Sequence, residues 1–111
     1  MNKSAEPMEP ARAVRLAEHV QYADGSIVSR ALVQKPVGSI TLFAFATGQG
    51  LNEHTAPYDA YVQILDGEGE LVIAGQIVNA KSGETVLMPA NVPHAVNARQ
   101  RFKMLLTMIR G

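Results

Sequence analysis

The chain contains neither cysteine nor tryptophan. The first absence excludes disulfides, thiol catalysis and thiolate metal sites. Aromatic residues supply only 5% of the 111 positions, so any core must be built from Val, Ile, Leu, Ala and Met. An excess of charge of either sign is missing too. Ten basic and ten acidic residues cancel, and no run of one sign exceeds two residues. A nucleic-acid or anionic-membrane partner needs a basic footprint, so neither partner is expected. No apolar run approaches the ~20 residues of a membrane span. Met1 to Pro10 is polar and Pro-punctuated, without the apolar centre of a signal peptide. A soluble, cytoplasmic protein is expected.

What the chain does contain is one domain's worth of short apolar segments. Residues 1–22 read as an N-terminal arm, mobile over its first ten residues. The spacing of Leu16 and Val20 hints at one short helical turn, with His19 facing solvent. Residues 23–111 read as a single β domain. Candidate strands are Ile27 to Gln34, Ser39 to Thr47, Tyr58 to Leu65, Glu70 to Ala74, Gln76 to Asn79, Thr85 to Met88, His94 to Ala98 and Phe102 to Ile109. A breaker separates each from the next, and Asp66-Gly67 is the clearest tight turn. Eight short strands at this spacing imply an all-β sandwich or barrel. Ser39 to Thr47 and Phe102 to Ile109 are apolar at both parities. A half-wetted antiparallel strand is not, so a second layer or a partner subunit should cover their outer face, and a homodimer is expected.

Two stretches stand out. Gly48 leads to His54, then an alternating apolar run, then Asp66-Gly67. Gly83 leads through Met88-Pro89 to His94. Strand parity places His54, Ala56, Tyr58, Ala60, Val62 and Ile64 on one face, provided Pro57 introduces no bulge. His94, Val96 and Ala98 share a face likewise. Each histidine is then alone on an otherwise apolar surface, and both are expected to converge on one cavity. The plain alternative is a pair of hydrogen-bonded, partly buried histidines with no ligand role. A nucleophile beside a base and a carboxylate pair for glycoside hydrolysis find no support. Gly67-Glu68-Gly69 is followed by no helix and so is no phosphate loop.

These stretches resemble the two motifs of the cupins, small RmlC-like β-barrels of jelly-roll type. The first motif reads Gly, five residues, His-x-His, three or four residues, Glu, six residues, Gly. Gly48, His54 and Gly67 match it, while Ala56 and Ala60 stand at its second histidine and its glutamate. The second reads Gly, five residues, Pro-x-Gly, two residues, His, three residues, Asn. Gly83, Pro89 and His94 match, with Asn91 and Ala98 at the remaining positions. The resemblance spans about Ile40 to Ile109 and implies an all-β, cupin-type jelly-roll barrel. It also implies a metal held by three histidines and a glutamate, of which only His54 and His94 remain. Divalent transition metals are normally held by three or four side chains. At most a weakly held divalent ion, or a rebuilt site, is therefore expected.

Three functions follow from the resemblance. The first is binding of a small molecule in the lumen, oriented by His54 and His94, with Tyr58, Ala56, Ala60, Val62 and Met88 as further contacts. Ile64, Val96 and Ala98 would complete an apolar wall, enlarged where alanine replaces a ligand. The alternative is an enzyme of the oxygenase, isomerase or decarboxylase class, in which an imidazole, which titrates near neutrality, is base or metal ligand. The third is a non-catalytic dimeric sensing module.

Overall fold

A computed structural model describes residues 6–111. Nine strands run in chain order: β1 (Ile27–Lys35), β2 (Gly38–Phe45), β3 (Gly50–His54), β4 (Asp59–Asp66), β5 (Glu68–Ile73), β6 (Gln76–Lys81), β7 (Thr85–Met88), β8 (His94–Asn97) and β9 (Phe102–Ile109). They form a five-stranded sheet ordered β1-β2-β9-β4-β7 and a four-stranded sheet ordered β3-β8-β5-β6. The pairings are antiparallel throughout.

The expected closed barrel is not what forms. Neither sheet closes on itself. β1 and β7 are edges of one, β3 and β6 of the other, and the two sheets are joined face to face by side chains rather than by a hydrogen-bonded seam. The central core shows this directly. Phe45, Val62, Ile64, Phe102 and Met104 come from the larger sheet, and Leu71, Ala80 and Val96 from the smaller. Burial alternates strictly along Asp59 to Ile64, which is the period-two signature of a strand with one face inward. Phe45 and Phe102 are register partners and stack at 4.9 Å, with Phe43 stacked on Phe45 at 5.6 Å. Gly69 of β5 lies against this stack. A methyl group there would sit 2.7 Å from the Phe102 ring, so the two sheets approach closely at a position only glycine can occupy.

The outer face of the larger sheet carries a second apolar cluster, and the chain covers it with its own N-terminal segment. Val20 is buried against Leu32, Leu42 and Ala44, with Met8, Leu16 and Tyr22 packed around them. A single 3-10 turn, Leu16–Glu18, shapes this segment. Lys103 Nζ donates to the Ala17 carbonyl, Tyr22 Oη donates to Asp66 Oδ2 at 2.6 Å, and the Glu6 amide donates to the Ala31 carbonyl. Arg101 and Lys103 lie over the Tyr22 ring at 4.5 and 4.9 Å. Part of the mobility expected for Met1 to Pro10 falls on residues 1–5, outside the described residues. His19 is partly exposed on the surface, its Nδ1 against the Arg15 carbonyl at 3.0 Å. Among the described residues, no helix is long and apolar enough to cross a membrane.

Candidate functional site

β3 is the strand missing from the sequence expectation. Gly-Leu-Asn-Glu-His has no apolar alternation and forms a sheet edge, with Asn52, Glu53 and His54 all exposed. It pairs with β8 in a register that makes His54 and His94 direct partners, with a bulge between Leu51 and His54. The imidazole centroids are 4.4 Å apart and the rings cross at 69°. His94 is buried and His54 is exposed at the mouth.

The tautomer follows from hydrogen bonding. His54 Nδ1 lies 2.7 Å from the Asn52 carbonyl, and His94 Nδ1 lies 3.1 Å from the Val92 carbonyl. A carbonyl oxygen only accepts, so both Nδ1 atoms carry a proton and donate. In the neutral rings both Nε2 atoms then hold free lone pairs, and the backbone fixes each ring's orientation.

Behind the pair is a small cavity of ≈ 30 Å³, room for about one or two water molecules. Leu51, His54, His94 and Val96 bound it from the smaller sheet. Ala60, Met88, Met104, Leu106 and Met108 bound it from the larger, and Ala56 from the crossover between them. The enlarged pocket expected from the two alanines is absent, because methionines of β7 and β9 fill the room a longer side chain at Ala60 would take. Ala60 pairs with Met88 on one side and with Met108 on the other, so the two thioethers flank it on one inward face.

Not every expected contact belongs here. Val62 and Ile64 lie deeper in the core, and Ala98 borders an outer groove. Tyr58 is elsewhere. Its hydroxyl donates to the Pro36 carbonyl at 3.3 Å, and Arg110 lies over its ring at 5.0 Å. The continuous face drawn from His54 to Ile64 breaks because β3 ends at His54, and the chain crosses to the other sheet before β4 begins at Asp59. Pro57 lies in that crossing. The outer groove, ≈ 520 Å³ along Gly48 to Glu53 and Asn97 to Arg99, is open and contains no histidine.

A two-sheet antiparallel fold with a histidine from each of two paired strands, β3 and β8, defines the class. A family model described as "Cupin domain" matches residues 41–109. The chain belongs to the cupin family. A crystal structure of a conserved protein of unknown function from Streptococcus pyogenes is 34% identical, covers 99% of this chain and 96% of its own, and superposes with a TM-score of 0.92. A cupin 2 conserved barrel domain protein from Leptotrichia buccalis is 45% identical over 85% of this chain, with a TM-score of 0.82. This chain spans only 46% of that protein. A cupin superfamily protein from Desulfitobacterium hafniense is 27% identical, covers 98% of this chain and 100% of its own, and has a TM-score of 0.89. No curated protein matches the sequence.

The family's metal does not fit this site. Among the described residues, no three His, Cys, Asp or Glu side chains stand together as a metal centre. Ala56 and Ala60 offer no donor where the resemblance puts a histidine and a glutamate, and the cavity wall is apolar.

Proposed function

We propose that this cupin is a binding module for a small organic ligand, held by a hydroxyl-bearing head group that donates to the Nε2 atoms of His54 and His94. The observation that carries this reading is the histidine pair itself, at 4.4 Å, with both Nδ1 atoms tied to backbone carbonyls. Two adjacent imidazoles held by the backbone beside an apolar cavity place polar groups in a greasy wall, the usual make-up of a ligand site. The cavity volume of ≈ 30 Å³ limits the buried part to a few heavy atoms. The remainder of the ligand lies at the mouth, where His54 is exposed.

Ethylene glycol is a minimal probe of this chemistry, with a donating hydroxyl for each Nε2. Titrated into the full chain, it should move the imidazole NMR signals of His54 and His94 and leave His19 still. Unmoved signals from the pair at high glycol would refute the reading.

A further inference from the structure

The outer groove of ≈ 520 Å³ is bordered by every residue from Thr47 to Glu53. Successive residues of a strand point to opposite faces, so a hollow on one face would meet only every second one. This groove therefore follows the free edge of β3, where one row of backbone N–H and C=O groups has no strand beside it. Gly48 and Gly50 put no side chain in its way. In the wall, Asn97 Nδ2 donates to Glu70 Oε2 at 3.1 Å, because a carboxylate only accepts. Asn97 Oδ1 is thereby turned toward Gly50, 3.3 Å from where a Cβ would stand, and is an acceptor for a guest N–H.

Opposite charges mark the two ends of the groove. The Gly48 amide donates to the Ala98 carbonyl and the Ala98 amide to the Gln49 carbonyl, so Arg99 stands beside the start of β3. Its Nε donates to Oε1 of the largely buried Glu70 at 2.5 Å. That bond fixes the guanidinium plane and leaves the Nη hydrogens outside it, a fork suited to a carboxylate. Glu53 lies at the other end, where β3 stops. Gln49 to Glu53 covers about 13 Å at the usual strand rise, the length of an extended chain of about four residues. The bulge between Leu51 and His54 ends the regular edge there, which keeps longer strands out. We infer that the edge of β3 is a docking groove for a short peptide with free termini. The peptide adds as an antiparallel strand, its carboxylate at Arg99 and its ammonium at Glu53. This site is separate from the histidine pair and does not rest on it.

Tetraalanine with free termini is the probe. Titrated into the full chain, it should shift the backbone amide NMR signals of Gln49 to Glu53 and the Nε–H signal of Arg99. Converting its carboxyl end to the amide, or acetylating its amino end, should each weaken binding by about fivefold. In Arg99→Gln the free acid and the amide should bind alike, and in Glu53→Gln the free amine and the acetylated form should. Tetraalanine that leaves these signals still would overturn the site. So would blocked peptides that bind the unaltered protein as tightly as the free one, a comparison that needs no variant to fold. A dimer that dissociates as the peptide binds would overturn it too, since the edge would then belong to a second copy of the chain.

Discussion

His54 and His94 sit opposite each other on adjacent antiparallel strands, ring centroids 4.4 Å apart, yet one is exposed and the other almost wholly buried. The asymmetry separates their contributions to stability. His94→Ala removes a buried ring and its bond to the Val92 carbonyl, and should cost about 1–3 kcal/mol. His54→Ala, at the exposed edge, should stay within about 0.5 kcal/mol. Urea denaturation of the two variants checks the order, and equal losses would contradict it.

Tyr22 is a fastener between the N-terminal segment and the domain. Burial, and then its hydrogen bond to Asp66, hold its hydroxyl well above the usual phenol range, with Arg101 opposing. Because the folded value is raised, the contribution is complete below the unfolded tyrosine pKa of about 10. It is lost progressively as pH rises above that value, where only the unfolded chain releases the proton. Tyr22→Phe keeps the ring under Arg101 and Lys103 but drops the bond, and should cost about 1 kcal/mol near neutral pH. The variant should also show less loss of stability above pH 10 than the parent. Parallel pH-dependent unfolding curves for parent and variant would rule the fastening role out.

Restoring the family's ligands should produce metal dependence. In Ala56→His with Ala60→Glu, the new carboxylate enters a cavity flanked by Met88 and Met108, where an unpaired charge is costly. The metal-free variant should melt below the parent, and Mn(II) or Zn(II) should raise its melting temperature while leaving the parent unchanged. A variant indifferent to both ions would show that the residues do not converge as the resemblance implies.

Homodimerisation now rests on a smaller surface than strand pattern suggested, because the N-terminal segment already covers Leu42 and Ala44. What remains on the outer face is Tyr61, its register partner Leu87, and Ile109, all exposed. We propose that this patch is where two copies meet. Light scattering should return about twice the 11.9 kDa chain mass, and Leu87→Lys should halve it. A parent protein that scatters as a single chain would end the proposal.

The sequence by itself determined the strands with an apolar pattern between breakers, including the edges β1, β6 and β7. Ala60, Val62 and Ile64 alternate with exposed Asp59, Tyr61 and Gln63, and Phe102 to Ile109 was placed residue for residue. Turn glycines and the spacing of His54 and His94 carried the family. Long-range pairing decided the rest. β3 ends in exposed Asn52, Glu53 and His54 and buries none of its residues fully, so it leaves no periodic trace. Two open sheets and a closed barrel share one alternation pattern and differ only in whether edge strands bond, which no local window contains. Leu16 and Val20 became core only because Leu32 and Leu42, distant in sequence, meet them. Tyr58 fell away from the histidines since the chain changes sheets between His54 and Asp59. The methionines joined the histidines for the same reason: register set Met88 and Met108 on either side of Ala60, and register belongs to the assembled sheet.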